Sequence, residues 1–487
     1  MTEMWERFSF YGLRPLLVLF MAAALADGGF GFDRPAASAI VGIYAASVYL
    51  ASLPGGWIAD RWLGLRRAIL IGAMLITSGH LAIGISGMAG AGAGKIFFFL
   101  GLVLIVLGTG LLKPNISAIV GDLYPEGGAR RDAGFSIFYM GINTGAFIGQ
   151  LVTGYLGERV SWHWGFGAAG VCMLCGLLMF WLKAKDTLGT LGQDIVRDPN
   201  PAVQAKREGA VRNYTFGGLA LLALVFVLAS TGTVTLDPQA IGGVMTFVLV
   251  GIAVAFFGFL FAFGGLTRDE KRRSGVIFVL FVFAAIFWAA FEQAPTSLQL
   301  FANDFTDRNL FGFEIPATWF QSVNSAFIIL FSPLFAALWI LLAKRNIDLS
   351  SPAKFAIGLA LAGVGFLVMV FAANRVVASG GTVLVSPWWL IISYLFQTLG
   401  ELFLSPVGLS SMTKLAPRRY VGQMMGIWFL ATSVGNLVAG LVGGHVDPTK
   451  LDQTPLVFSG TAIALFGATV ILALMIVTIR RLMATAK

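Results

Sequence analysis

The stretch Glu3-Met-Trp-Glu6-Arg7-Phe8-Ser9-Phe10-Tyr11-Gly12-Leu13-Arg14-Pro15 decides how the rest of this chain is read. At about 100° per residue, a helix gathers Glu3, Glu6, Arg7, Phe10, Tyr11 and Arg14 within an arc of about 140°. The opposite face is apolar, and the run continues as Leu16-Leu-Val-Leu-Phe20. Two acids, two bases and two rings on one face of an otherwise apolar helix suit a membrane span whose polar face lines an internal cavity. Pro15 frees a backbone carbonyl and predicts a kink beside that face.

The whole composition agrees. Of 487 residues, 57% are hydrophobic and 12% charged, with a mean hydropathy of +0.83. Soluble domains carry about 25% charged residues, so a soluble enzyme, a disordered chain and a collagen-like chain are excluded. A spanning helix needs about 20 mostly apolar residues. Fourteen such stretches are predicted, the first at 3–25 and the last at 457–479. Of the 33 Lys and Arg residues, 24 then fall on one side and 6 on the other, while Arg7, Arg14 and Lys113 lie within spans. This bias predicts a multi-pass protein of the plasma (inner) membrane with both termini in the cytoplasm. The net charge of +9 therefore marks a membrane face and implies no nucleic acid. The first residues carry acids and lack a basic start, so no cleavable signal peptide is expected.

The longest polar stretch, 183–212, separates six helices from two extra helices and then six more. The predicted division is 1–182, an N-terminal six-helix bundle; 183–273, a cytoplasmic linker and two extra transmembrane helices; and 274–487, a C-terminal six-helix bundle. Arg130-Arg131-Asp132-Ala133-Gly134 opens the fifth helix of the first half, and Arg418-Arg419-Tyr420-Val421-Gly422 that of the second. Two six-helix halves related by an axis along the membrane normal are a recurrent transporter plan. The extra helices, 213–231 and 240–264, hold no internal charge and read as a lipid-facing insertion without a transport role. The fold class is an all-α polytopic membrane protein with 14 spans.

A charge at the bilayer centre costs about 2.5–3.5 kcal/mol on insertion scales. Seven residues are placed there: Glu3, Glu6, Arg7, Arg14, Lys113, Glu292 and Glu401. Leaving out the extra helices, they lie on the first and fourth helices of each half, which predicts a shared polar cavity. Ion pairs that merely hold the halves together are the structural alternative. Four carboxylates against three bases sum to −1, and one bound proton neutralises the set. Desolvation and neighbouring acids favour that proton, so coupling to protons is expected.

The first helix resembles the Glu-x-x-Glu-Arg-Phe-x-Tyr-Tyr-Gly motif of the proton-dependent oligopeptide transporter family, within the major facilitator superfamily. Glu3, Glu6, Arg7, Phe8, Tyr11 and Gly12 match, and Phe10 replaces the first tyrosine. Gly56-Trp-Ile-Ala-Asp60-Arg61, with Gly64 and Arg66, resembles the loop motif between helices two and three. Gly108-Thr-Gly-Leu-Leu-Lys113-Pro114-Asn115, Phe138-Tyr139-Met-Gly-Ile-Asn143-Thr-Gly145, Phe291-Glu292-Gln293 and Gly400-Glu401-Leu-Phe-Leu-Ser405-Pro406 follow in the family's order. The resemblance spans nearly the whole chain. It implies the major facilitator fold and import of di- and tripeptides with protons by alternating access.

It also implies roles for particular residues. Glu3, Glu6 and Arg7 would form the proton site, with Glu292 a second candidate. Arg14 and Lys113 would hold the peptide carboxylate, Glu401 the ammonium, and Asn143 and Asn324 the terminal groups and peptide amide. Arg14 can bind bidentately, whereas Lys113 acts as a point charge. Tyr11, Tyr49 and Trp428 match positions that line the cavity. Lys113 with Glu401, and Arg14 with Glu292, would be the gating pairs. Phe10 lacks the hydroxyl of the usual tyrosine. Tyr44 stands where animal relatives place a histidine, which leaves proton handling to carboxylates.

Other signals carry less. Cys172 and Cys175 lie in an apolar run with no second ligand pair, and read as small core residues. His80, His163 and His445 are scattered; His80 reads as a satisfied packing residue. Ala89-Gly-Ala-Gly-Ala-Gly94-Lys95 fails as a phosphate loop, because Ala89 replaces the required glycine and Ile96 the magnesium-binding hydroxyl. No enzyme activity, metal or cofactor is expected, with protons as the coupling ion and membrane lipid as surroundings. A monomer is expected to suffice. The rivals are a carrier for another small anion or zwitterion, such as nitrate or an amino-acid conjugate, a proton-coupled exporter, and a membrane-embedded enzyme, for which no nucleophile–base set stands in the sequence.

Overall fold

The computed structural model describes residues 1–125, 128–193, 195, 199–345 and 349–484. Arg197 and Lys487, two of the basic residues assigned to the cytoplasmic face, lie outside these. The described chain is almost wholly helical. It runs α1 (Thr2–Ala22), α2 (Arg34–Ile58), α3 (Leu65–Ser86), α4 (Gly90–Asp122), α5 (Gly128–Arg159), α6 (Trp162–Leu188), α7 (Pro201–Ser230) and α8 (Pro238–Phe263). Then come α9 (Arg268–Phe291), α10 (Gln299–Asp304), a hairpin of β1 (Asn309–Leu310) and β2 (Phe313–Glu314), α11 (Trp319–Lys344), α12 (Ser351–Ala378), α13 (Trp388–Leu415), α14 (Val421–Gly443) and α15 (Gln453–Ala484). A wide π turn at Ala294–Leu298 joins α9 to α10 as one span.

Among the described residues, thirteen spans are long and apolar enough to cross a membrane. The fourteenth long helix is α1, whose charged stripe lowers its hydropathy. This multi-pass, nearly all-helical architecture agrees with the fourteen spans read from the sequence.

Helix ends follow local chemistry. The Thr267 side chain accepts from Glu270 N at 3.2 Å, and Glu270 Oε2 accepts from Thr267 N at 2.9 Å. This reciprocal capping box starts α9. The start of α7 departs from expectation, lying at Pro201 rather than near 213. Asn200 accepts from Ala202 N at 3.0 Å, and Pro201 presets the first turn. A cap begins a helix in polar sequence as readily as in apolar sequence, and a span count senses only apolar content.

The chain forms two compact units. Unit 1 comprises Met1–Leu16, Ala24–Phe30 and Ser47–Asp237; unit 2 comprises Leu17–Ala23, Gly31–Ala46 and Pro238–Lys487. Within unit 1, α3 lies against α4 so closely that a Cβ on Gly72 would meet Gly108 O at 2.6 Å, and the reverse holds at the same distance. Within unit 2, α12 and α13 repeat this contact at Gly358 and Gly400, with Cβ-to-oxygen distances of 2.8 and 2.6 Å. These are the third and fourth helices of each sequence half. Small residues let membrane helices approach where hydrophobic burial supplies no drive.

The extra helices differ from each other. Only Val211 is buried on α7, which fits a lipid-facing helix. On α8, Gly242, Leu249, Ala253, Phe257 and Leu260 form a buried stripe. Gly242 meets Leu441 of α14, and Phe257 packs edge-on against Phe278 of α9 at 5.0 Å. The four-residue steps in that stripe mark a packing face, so α8 is only partly lipid-facing.

Candidate functional site

In unit 1, α1 brings Glu3, Glu6 and Arg7 together, each at most 4% exposed. Arg7 Nε lies 3.2 Å from Glu3 Oε1 and also pairs with Glu6. The spacing of Glu3 one turn before Arg7 is the favourable helical order. Thr109 of α4 donates to Glu6 Oε1 at 3.4 Å. Two carboxylates share one guanidinium, so Arg7 compensates a pair of charges that would otherwise repel without water.

Phe10, only 1% exposed, sits between the two arginines of α1. Its ring centroid is 5.0 Å from Arg7 Cζ and 5.4 Å from Arg14 Cζ. Tyr11 packs edge-on against Phe10 at 5.2 Å. The phenylalanine that departs from the family motif thus presents π faces to both cations. A ring needs no hydroxyl for that contact.

Lys113 of α4 is half-buried, with its Nζ 4.1 Å from the centre of the Tyr49 ring on α2. This contact joins two residues that the sequence assigned separately. Asn143, on α5, is buried, and its amide donates to Tyr139 O at 3.0 Å, one turn earlier. Thr153 donates to Gly12 O at 2.8 Å, which ties α5 to the polar helix.

In unit 2, Glu292 is buried at the C-terminal end of α9, next to the π turn. The amides that follow are bonded, although Gln299 Nε2 is buried without a hydrogen-bond partner among the described residues. Gln293 donates to Thr461 at 3.0 Å, Ser297 to Gln293 at 2.8 Å, and Gln321 to Gln299 at 2.7 Å. Glu401, on α13, is half-buried. The Asn324 amide of α11 donates to Glu401 Oε2 at 3.5 Å and to Thr398 Oγ1 at 2.9 Å. Thr398 in turn donates to Tyr394 O at 2.7 Å. That chain fixes which way the Asn324 amide points, and so seats Glu401. Trp428 is buried, and its ring covers Gly408 so tightly that any side chain there would overlap it. Its visible contact is one of helix packing.

The predicted residues therefore divide between the units. Glu3, Glu6, Arg7, Tyr11, Arg14, Tyr49, Lys113 and Asn143 belong to unit 1; Glu292, Asn324, Glu401 and Trp428 belong to unit 2. Each predicted gating pair takes one member from each unit.

Three features escaped the sequence reading. Thr109 lies one turn before Lys113 in a quoted motif, and that spacing was the available signal. Phe10 lacks a hydroxyl, but its place between two arginines at helical spacing predicts the ring contacts found here. The third is an ion pair between Arg34, at the start of α2, and Asp304, at the end of α10. Arg34 Nη1 also donates to Val446 O at 3.0 Å. Its signal was an arginine on the side where basic residues are scarce. Nearby Asp447, in the loop after α14, is pushed up by burial but pulled down further by bonds from Thr449 and by Arg34 and Lys450, ending below the usual carboxylate range. Beside this cluster α2 lies hard against α14: a Cβ on Gly42 would meet Asn436 O at 2.7 Å and Gly440 Cα at 2.8 Å.

Two minor expectations need correction. His80 is packed but unsatisfied, since neither ring nitrogen has a hydrogen-bond partner among the described residues. It faces Gly170 of α6, with a Cβ there 3.0 Å from its own Cβ, and so meets carbon. Cys175 is exposed and Cys172 only partly covered, so neither is a core residue. Among the described residues no group of three or more His, Cys, Asp or Glu side chains could hold a metal.

Comparison with known proteins adds a family. A model described as the POT family matches residues 66–186 and 245–456. The peptide transporter YePEPT of Yersinia enterocolitica subsp. palearctica is 50% identical over 483 residues, covering 99% of this chain and 94% of that protein. The di-/tripeptide transporter of Lactococcus lactis subsp. cremoris is 35% identical, with coverage of 98% and 92%. A crystal structure of a peptide transporter POT with sulfate superimposes with a TM-score of 0.88 at 39% identity, covering 99% of this chain and 94% of that one.

Proposed function

Because this chain belongs to the POT family of transporters, we propose that it imports di- and tripeptides with protons by alternating access. The observation that carries the reading is the seat of Glu401. A carboxylate held by the neutral Asn324 amide meets no opposite charge among the described residues, and a peptide ammonium supplies one. Arg14 and Lys113 hold the peptide carboxylate, the first bidentately and the second as a point charge. Asn143 and Asn324 bond the terminal groups and the peptide amide, while Tyr11, Tyr49 and Trp428 line the cavity. A clamp of this kind reads the two ends of the backbone and tolerates many side chains.

Glu3, Glu6 and Arg7 form the proton site, with Glu292 as a second one. Four acids against Arg7, Arg14 and Lys113 make a set that one proton neutralises. The gating pairs are Lys113 with Glu401 and Arg14 with Glu292. The Arg34–Asp304 pair, backed by the tight crossing of α2 and α14, is an outer latch that opens in the transport cycle. The functional halves are 1–182 and 274–487, with 183–273 as linker and insertion. Both termini face the cytoplasm of a plasma (inner) membrane, a monomer suffices, no cofactor beyond the proton is used, and no covalent chemistry is performed.

The test is dialanine uptake into proteoliposomes with and without an inward proton gradient. Accumulation that requires the gradient is expected. Uptake indifferent to the gradient removes proton coupling, and failure of dialanine to enter removes the peptide reading in favour of another small anion or zwitterion.

A further inference from the structure

A pocket of about 540 Å³ opens in unit 1 between the start of α3 and the end of α6, apart from every residue assigned to peptide or proton. Arg66 and Arg67 project from the first turn of α3, and Trp62 precedes them. Phe180 and Trp181 come from α6, and Gln193 from the segment after it. No acidic side chain lines the pocket among the described residues.

One wall is fixed. Arg66 Nη1 donates to Gly189 O at 2.6 Å, and Gln193 Nε2 reaches the same oxygen at 3.3 Å. Arg67 is exposed beside it, and its side chain makes no hydrogen bond or ion pair with the described residues. The N-terminal end of α3 adds a positive dipole at the same place. Two guanidiniums and a helix start converge on a cavity with no acid among the described residues, which is the chemistry of a phosphate site.

The aromatic rim indicates which phosphate. Trp181 is 64% exposed near the end of a membrane helix, where tryptophan partitions to the headgroup level. Trp62 also touches Phe216 of α7, ring to ring at 5.9 Å. On α7, Lys206, Arg207 and Arg212 lie in the turns before that contact. A basic pocket between membrane helices, approached past further basic residues and lined by aromatic rings, suits a charged headgroup attached to hydrocarbon. A soluble anion has no use for the rings. We propose that this pocket binds the phosphate of an anionic phospholipid, with Arg67 paired to the phosphate, Arg66 holding the wall, and Trp62, Phe180 and Trp181 against the lipid body.

The test uses the full chain equilibrated with equal amounts of phosphatidylglycerol and phosphatidylcholine, with retained lipid counted by native mass spectrometry. Phosphatidylglycerol is expected to be retained several-fold over phosphatidylcholine. Arg67→Gln is expected to abolish the preference and Arg67→Lys to keep part of it. Arg375→Gln, at the far end of α12, is expected to leave it intact. Thermal unfolding in phosphatidylcholine alone checks that each variant is folded. If Arg67→Gln fails that check, Trp181→Ala on the exposed rim is the second probe and is expected to weaken retention several-fold. Equal retention of the two lipids overturns the proposal, as does a matching loss in Arg375→Gln. Displacement of the lipid by millimolar inorganic phosphate at constant ionic strength overturns it in favour of a free-anion site.

Discussion

In unit 1 the carboxylates of Glu3 and Glu6 face the guanidinium of Arg7, whereas in unit 2 the carboxylate of Glu401 is seated on the amide of Asn324. Both arrangements lie in membrane-spanning helices, where an ion without a partner is costly. The first compensates charge with charge inside a single helix face. The second orients a carboxylate without neutralising it. Local compensation favours a stable, folded cluster, and a neutral seat leaves the charge to be met by what is transported.

The largest effect expected from this contrast is at Lys113, the unit 1 cation that rests on the Tyr49 ring. Lys113→Ala should abolish proton-driven dialanine uptake in proteoliposomes, and uptake at full rate would remove its role. Arg7 and Glu401 divide the comparison next. Arg7→Met leaves two buried acids without their cation and should cost about 3–5 kcal/mol, read as a lowered thermal unfolding midpoint. Glu401→Gln keeps the shape and the Asn324 contact, so it should leave that midpoint unchanged while removing gradient-driven uptake. The reverse pattern, a stable Arg7→Met and an unfolded Glu401→Gln, would break the comparison.

Phe10 offers a finer probe. Phe10→Leu should cost about 1–2 kcal/mol by removing the π face from Arg7 and Arg14, and Phe10→Tyr should be close to neutral. Thermal unfolding measures both, and equal loss in the two variants would assign the effect to packing. The smallest effect is expected at Thr109. Its bond to Glu6 is long at 3.4 Å, so Thr109→Val should cost about 1 kcal/mol. A shift in the pH dependence of uptake would accompany it if Glu6 handles the proton, and an unchanged pH profile would leave Thr109 a packing role alone.

Much of the site was legible in the sequence because it depends on helical spacing. Glu3, Glu6, Arg7, Tyr11 and Arg14 had to share a face once residues 3–25 formed a helix, and the contacts of Arg7 follow from i, i+3 and i+4 geometry. The contacts that escaped it join distant segments. Arg34 and Asp304 are 270 positions apart, and neither position has a periodicity that points at the other. The same holds for Lys113 with Tyr49, and for Asn324 with Glu401. The early start of α7 was missed for a different reason: Asn200 and Pro201 cap a helix whose first turns are polar, and a search for hydrocarbon passes over them.

The sequence alone determined that this is a multi-pass helical membrane protein, how its spans are ordered, and which charges are buried in them. Those follow from the price of burying polar groups, which depends on residue type and position along the chain. Tertiary structure alone decided which helices touch and where α8 packs. It also decided which neutral groups orient the charges and that a basic, aromatic-rimmed pocket exists at the end of α6. Such facts depend on side chains from separate helices meeting at a few ångströms, and a linear pattern does not record that meeting.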